Sequence, residues 1–114
     1  MKLYDTTLRE MFNDISDEVG GLPTSIMFKE QGWYAKDEDD PDNFQFLNPV
    51  LGQCLSFDDP LVQRALDIEF DNGFGGEYAP ELIAWTSEWV IMKHEYDGAE
   101  MLRAFPRNPR GDAQ

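Results

Sequence analysis

An excess of acidic residues is the strongest constraint on how this chain can fold. The 114 residues include 23 Asp and Glu against nine Lys and Arg, which gives a formal net charge of −14 at pH 7. A compact fold must bury an apolar core while these carboxylates stay in water, because like charges repel and an unpaired buried charge is costly. Hydrophobic residues still make up 41% of the chain and aromatic residues 13%. Disordered acidic chains are poor in both, so the composition predicts one folded domain.

The first clear element is an amphipathic helix predicted over residues 6–19. Thr7 and Glu10 have the spacing of a capping box, in which the hydroxyl and the carboxylate satisfy free backbone amides. Gly20 and Gly21 supply a left-handed stop, and Pro23 prevents the helix from resuming. Between these signals, apolar residues recur at helical spacing: Leu8, Met11, Phe12, Ile15 and Val19.

A second, short helix is predicted to begin at Asp59 and Pro60, because Asp caps helices and Pro suits the first helical position. Its apolar side would be formed by Leu61, Val62, Ala65 and Leu66. Apolar and acidic residues then alternate over 66–71, a period of two that predicts a strand with one apolar and one acidic face. The acidic face of that strand would carry Asp67, Glu69 and Asp71.

The remaining pattern predicts an antiparallel sheet. Residues 26–29 and 33–34 are strand-like, and residues 89–96 and 100–105 flank Asp97-Gly98, a strong type I′ hairpin signal. The predicted fold class is therefore α+β, with one or two helices packed on a small antiparallel sheet that ends in a C-terminal hairpin. We expect a single acidic domain over 1–105 and a loose basic tail over 106–114.

The acidic residues fall into three predicted patches. Four lie on the solvent side of the first helix, at an axial spacing of about 5–6 Å, and a second group forms a loop without apolar residues over 37–43. The first two patches consist of Glu10, Asp14, Asp17 and Glu18, and of Asp37, Glu38, Asp39, Asp40 and Asp42. The third is the acidic face of the 66–71 strand, with about 6.6 Å between charges.

Such rows approach the charge density of nucleic acid, because a DNA strand presents one phosphate per about 3.4 Å of axis. Ordinary solvated faces are the simpler explanation. Two observations favour a function: like charges at i, i+4 destabilise a helix, and almost no Lys is interleaved. The three patches are therefore the predicted partner-binding residues, and a basic protein surface is the predicted partner.

Catalytic, cofactor and metal sites are not predicted. The single cysteine, Cys54, excludes a disulfide or zinc cluster, and its apolar surroundings in the sequence are typical of a packed thiol. A nucleophilic pair with His94, the only histidine, remains open but has no further support. Acids at positions 67, 69 and 71 resemble the start of a calcium loop, but Asn72 and Tyr78 occupy the positions that need Gly and Glu.

The chain shows no targeting or membrane signal. The N-terminus turns polar within five residues, and no apolar run approaches the roughly 20 residues that a membrane span needs. We expect a cytoplasmic protein, in the host cytoplasm if it is phage-encoded.

Four short motifs lie between residues 70 and 109: Phe70–Gly76, Ala84–Thr86, Tyr96–Gly98 and Phe105–Pro109. This stretch, about a third of the chain, resembles uncharacterised small acidic proteins encoded by bacteriophages and their hosts. In size and acidity the chain is also similar in kind to phage anti-defence proteins, including anti-CRISPR proteins and DNA mimics. The shared motifs are turn and strand residues, so the resemblance implies no catalytic residue.

The first expectation is an acidic inhibitor that binds the cationic nucleic-acid-binding surface of a host defence complex, with no direct contact to nucleic acid or membrane. The alternative is a structural, assembly or protein-interaction module of a virion or complex, with an apolar sheet surface as its interface. A calcium-binding protein or an enzyme is the third class considered.

Overall fold

The computed structural model describes residues 5–30, 44–71, 80–96 and 99–107. Within these ranges the chain forms two α-helices, one 3-10 helix and seven strands, of which five make one antiparallel sheet. Helices and sheet share one hydrophobic core. The α+β class and the C-terminal hairpin predicted from the sequence are confirmed.

Helix α1 (Leu8–Val19) forms where the capping and periodicity signals predict it. The Thr7 hydroxyl accepts a hydrogen bond from the backbone N–H of Glu10 at 3.1 Å. The Glu10 carboxylate accepts one from the Thr6 hydroxyl at 2.9 Å. Gly20 ends the helix at φ 83°, a left-handed conformation that glycine adopts at little cost.

Helix α2 (Pro60–Leu66) begins as predicted, with the Asp59 carboxylate accepting a hydrogen bond from the N–H of Leu61 at 2.9 Å. A 3-10 helix, η1 (Phe44–Val50), packs beside it. The guanidinium of Arg64 on α2 lies 4.1 Å from the ring centroid of Phe46 on η1, a cation–π contact that joins the two elements.

The strand predicted over 66–71 is wrong for most of its length. Helix α2 continues to Leu66, and Asp67 is its C-cap with φ −103° and ψ 5°, so neither residue is extended. Strand pairing is confined to Phe70 and Asp71. Leu66 and Ile68 are both buried, but the chain turns between them at the end of α2. The alternation of apolar and acidic residues here therefore comes from the end of a helix and not from a strand.

The sheet has the strand order β3-β2-β5-β6-β7, and β1 pairs with β4 in a separate two-stranded ladder. The sequence predicted β2, β6 and β7 but not β3 or β5. The strands are β1 (Asp5–Thr6), β2 (Ser25–Glu30), β3 (Cys54–Ser56), β4 (Phe70–Asp71), β5 (Glu81–Trp85), β6 (Trp89–Tyr96) and β7 (Ala99–Pro106).

The C-terminal hairpin places Tyr96 opposite Ala99, which leaves a two-residue connection. Strand β7 includes Pro106, the first residue assigned to the loose tail, so the predicted boundary falls inside the strand. Arg107 is also anchored, since its backbone N–H and its guanidinium donate to the carbonyls of Glu88 and Thr86.

The core lies between the helices and one face of the sheet. Because side chains alternate along a strand, each strand sends every second residue into this core. The central row on this face runs across the sheet as Leu55, Ile26, Ala84, Ile91 and Ala104, with the middle three buried and the two on the edge strands partly buried. The α1 stripe packs against it, and the rings of Phe12 and Phe57 meet edge to face with centroids 5.4 Å apart.

Several predictions lie outside the described residues. These are the strand piece at 33–34, the acidic loop 37–43 with Asp37, Glu38, Asp39, Asp40 and Asp42, the Asp97-Gly98 turn and the tail beyond residue 107.

The α1 cap gives a direct test of the fold. Replacing Thr7→Ala removes the hydroxyl that satisfies the Glu10 amide and should lower the free energy of unfolding by about 1 kcal/mol. Thr7→Ser keeps a capping hydroxyl and should match the wild type in chemical denaturation. Equal losses for both substitutions would contradict the capping role of Thr7.

Candidate functional site

The acidic residues of α1 form one continuous stripe on its solvent side. At about 100° per residue, the four predicted positions fall within an arc of roughly 100°, and residues 10 to 18 span about 12 Å of axis. All four are exposed: Glu10, Asp14, Asp17 and Glu18. Their placement opposite the buried stripe agrees with the helical pattern read from the sequence.

This stripe costs stability. Glu10 and Asp14, and then Asp14 and Glu18, are like charges at i, i+4, each pair destabilising by about 0.2–0.5 kcal/mol. Asp17 and Glu18 also lie in the last turns, where the helix dipole favours cations, and no basic residue is present in the last turn. In the part of the chain that the structure describes, none of the four forms an ion pair.

A bidentate ion pair connects the start of α1 to the end of α2. Arg9 Nε lies 2.6 Å from Asp67 Oδ1, and Arg9 Nη2 lies 3.1 Å from Oδ2. The same Nη2 donates to Gln63 Oε1 at 3.0 Å. Asp67 is therefore a compensated charge that holds α1 against α2, and it does not belong to the acidic strand face that the sequence predicted.

The hydrogen bonds from Arg9 hold the pKa of the Asp67 carboxyl below its ordinary value and raise the pKa of Arg9. Because both side chains are largely exposed, at 38% and 63%, solvent screening limits the pair to about 0.2–1 kcal/mol. A lowered carboxyl pKa contributes stability above the unfolded-state value of about 3.9, and that contribution is lost as the pH falls through the folded-state pKa.

The segment that carries the third predicted acidic patch lies beside the N-terminal end of α1. Strand β4 pairs with β1 immediately before α1, with Asp71 opposite Asp5, and Glu69 is exposed in the same segment. The segment 67–71 thus adjoins the N-terminal end of α1. Asp67 itself lies on the flank of α1 that faces α2, since Arg9 is turned about 140° from Asp14 on the helix.

Two side chains considered for catalysis are far apart. Cys54 lies on the edge strand β3 and His94 on β6, three strand spacings away, or about 14 Å. Cys54 is exposed, so the packed thiol predicted from its apolar neighbours is wrong. Among the described residues, no group of three or more His, Cys, Asp or Glu side chains is arranged to hold a metal ion.

The face of the sheet turned away from the helices is a second candidate surface, which the sequence analysis did not locate. Two rows of side chains cross all five strands there, and we call them together the outer face. The rows are Cys54, Met27, Ile83, Met92 and Arg103, and Ser56, Ser25, Trp85, Val90 and Phe105.

The outer face differs sharply in chemistry from the helix layer. Neither of its two rows contains an acidic residue, although Glu81, the next residue on the same side of β5, stands opposite Glu30 of β2 and forms an ion pair with Lys93 at 3.2 Å. Met92 and Phe105 are 38% and 45% exposed, and Arg103 stacks over the Phe105 ring with its guanidinium 5.7 Å from the centroid. Within the described chain, no apolar residue of these rows belongs to the hydrophobic core.

Comparison with protein-family models, with curated proteins and with solved structures gave no match to this chain. Among the described residues, no helix is both long enough and apolar enough to cross a membrane. The resemblance to bacteriophage-encoded proteins stays a prediction.

The Arg9–Asp67 pair predicts a specific titration. In Arg9→Gln, the pKa of Asp67 should rise toward about 3.9, as measured by NMR of its carboxyl carbon. The stability difference between wild type and variant should disappear as the pH falls below the folded-state pKa of Asp67. Arg64→Gln, which removes the guanidinium stacked on Phe46, is the control and should leave the Asp67 pKa in place. A stability difference independent of pH would contradict this assignment.

Proposed function

We propose that this chain is an acidic inhibitor that binds the cationic nucleic-acid-binding surface of a host defence complex, in the manner of an anti-CRISPR protein or DNA mimic. The observation that carries the proposal is the exposed carboxylate stripe of α1, which forms no ion pair with any described residue. Its four charges are exposed and lie on one side of the helix, where like charges stand at i, i+4 and Asp17 and Glu18 oppose the helix dipole.

The stripe has the chemistry that a nucleic-acid-binding groove recognises. Such a groove positions Lys and Arg side chains to meet phosphates and is surrounded by counterions when empty. Carboxylates about 5–6 Å apart along a helix supply comparable counter-charge and release the same kind of ions. An occupied groove excludes DNA or RNA, so binding alone is sufficient for inhibition and no catalytic residue is required.

The proposed contact surface is centred on Asp14, Asp17 and Glu18 and continues through Glu10 to the segment 67–71. Within that segment, Glu69 is exposed and Asp67 remains bound to Arg9, so Asp67 should contribute least. The loop acids Asp37, Glu38, Asp39, Asp40 and Asp42 and the β4 acid Asp71 complete the proposed set.

A protein-interaction or assembly module of a virion or larger complex is the second candidate function. It is favoured by one observation, the two largely apolar rows of the outer face, which contain no acid. The two candidates use opposite layers of the same fold, so substitutions on one layer separate them.

The proposed function predicts salt-sensitive competition with nucleic acid. The chain should displace a fluorescent DNA duplex from at least one member of a panel of purified CRISPR effector–guide complexes. The concentration needed should rise at least about tenfold between 50 and 200 mM salt, because exposed charges are screened. Displacement that is independent of salt, or no displacement across the panel, would contradict the proposal.

Matched charge reversals test which surface is responsible. Asp14→Lys with Glu18→Lys should weaken displacement at least about tenfold. Asp58→Lys with Glu88→Lys changes the net charge by the same amount at exposed positions away from the stripe, and should weaken it much less. Equal losses for the two pairs would mean that net charge, and not the α1 stripe, accounts for binding.

A further inference from the structure

We infer that the free edge of strand β7 binds an extended peptide of a partner protein, which joins the five-stranded sheet as an added antiparallel strand and alternates basic with apolar residues. The basic side chains of the peptide point toward an acidic flank of α1, and the apolar ones lie beside the outer face. The inference goes beyond the proposed function, because it rests on the backbone of β7 and concerns a peptide. Only Asp14 and Glu18 are common to both.

The hydrogen-bond pattern between β6 and β7 fixes which backbone groups of β7 face outward. The N–H of Arg107 donates to the carbonyl of Glu88 at 2.8 Å, so these two opposed residues form a hydrogen-bonded pair. Such pairs alternate with unbonded pairs along an antiparallel ladder, and the β6–β7 register is uninterrupted. Counting back from Arg107, every second residue of β7 bonds to β6. Leu102 and Ala104 fall between these residues and direct both N–H and C=O away from β6.

The outward groups of Leu102 and Ala104 form an open edge. In the described part of the chain, no backbone or side-chain group forms a hydrogen bond with them. Pro106, which has no N–H, ends the row of donors. Unpaired groups on an edge strand are a template for another strand, and the opposite edge of the sheet, β3, is only three residues long. The edge of β7 is therefore the better site for strand addition.

Helix α1 lies over this edge strand. Of the five sheet strands, β7 is the one that α1 contacts most, and the Arg9 side of α1 faces α2, which packs with η1 on the β2 side of the sheet. At about 100° per residue, Asp14 and Glu18 are turned about 140° and 180° from Arg9. They therefore lie on the flank of α1 that faces the free-edge side of the sheet, and both are exposed.

The carboxylates of that flank select basic side chains. In an antiparallel addition, the peptide residues opposite Leu102 and Ala104 point to the α1 side, as those two side chains do where they pack against the core. Alternate strand residues are about 6.6 Å apart, close to the axial rise of about 6 Å between Asp14 and Glu18. Two Lys or Arg side chains at alternate peptide positions can thus pair with the two carboxylates.

The other side of the added strand meets a different surface. The β7 side chains on that side are Met101, Arg103 and Phe105. Met101 and Phe105 are 37% and 45% exposed, so apolar peptide side chains would remove apolar surface from water there. Arg103 stands between them and repels a second row of basic residues. The two sides of the edge together select a peptide in which basic and apolar residues alternate.

The same charges argue against a second copy of this chain as the occupant. Its β7 would present Leu102 and Ala104, and no base, to the carboxylates of α1. Pairing of two β7 edges would also bring two acidic α1 flanks together. A basic and apolar peptide gains counter-charges where a second copy meets repulsion.

An NMR titration of the full chain with an acetylated, amidated heptapeptide of alternating Lys and Val tests the inference. In the free chain, the amides of Leu102 and Ala104 should exchange with solvent much faster than those of Arg103 and Phe105, which bond to β6. Peptide at up to about 2 mM should shift the two outward amides and slow their exchange at least about fivefold. No change at that concentration would overturn the inference. Slow exchange of the outward amides in the free chain would also overturn it, because another segment or a second copy would then cover the edge.

Methylation of the peptide backbone provides a matched pair of peptides with the same charge. In the antiparallel arrangement, the Lys N–H groups face β7 and the Val N–H groups face solvent. N-methylation of two Lys residues should weaken binding at least about tenfold, whereas N-methylation of two Val residues should change it less than about threefold. Equal losses, or the reverse pattern, would overturn the addition of an antiparallel strand.

Neutral variants of the protein test the acidic flank. In low-salt buffer, Asp14→Asn with Glu18→Gln should weaken binding of the Lys–Val peptide by about three- to tenfold. Asp58→Asn with Glu69→Gln removes the same charge at exposed positions on either side of α2, and should weaken binding by less than about twofold. Equal losses would mean that net charge alone attracts the peptide, which would overturn the inference. No nucleic-acid-binding protein is present in these tests, so their failure is distinct from failure of the proposed function.

Discussion

The burial of one apolar stripe of α1 against one face of the sheet is the interaction on which the rest of the structure depends. Leu8, Phe12 and Ile15 are buried in the core that also contains Ile26 and Ile91. Because a helix that buries one flank exposes the other, this packing turns the acidic flank to solvent. Because strands alternate, it also makes the remaining side chains of the sheet an outer face. The acidic and apolar surfaces of the molecule are thus consequences of a single packing arrangement.

The segregation of charge explains how so acidic a chain keeps a core. The carboxylates of α1 stay in water, and Asp67, whose contact joins α1 and α2, has Arg9 as its partner. The exposed stripe remains as a local cost in the free energy of folding, through the like-charge pairs at i, i+4 and the unfavourable interaction of Asp17 and Glu18 with the helix dipole. Sites that lower stability are often functional, and this is the physical reason to place a partner-binding surface on α1.

Local signals made part of this fold predictable. The Thr7 cap, the Gly20 stop and the Asp59-Pro60 start act within one helical turn, and the β6–β7 hairpin is encoded by neighbouring residues. Strand β5 was missed because Glu81–Trp85 is a short apolar run that becomes a strand only by pairing with β2, far away in the sequence. The same long-range pairing creates the outer face, and the Arg9–Asp67 contact spans 58 residues. The alternation of apolar and acidic residues over 66–71 led to a wrong strand prediction, because the end of helix α2 produces the same pattern in the sequence.

The opposition of the acidic stripe of α1 and the two acid-free rows of the outer face is the central claim, and its electrostatics are measurable residue by residue. A soluble nitroxide enhances the NMR relaxation of nearby protein protons. The ratio of this enhancement for a cationic and an anionic nitroxide of equal size reports the electrostatic potential near each proton. Protons of Asp14, Asp17 and Glu18 should relax far more with the cationic probe, and those of Val90 and Met92 nearly equally with both. If the protons of Val90 and Met92 also relaxed far more with the cationic probe than with the anionic one, as those of the α1 stripe should, the result would contradict the account.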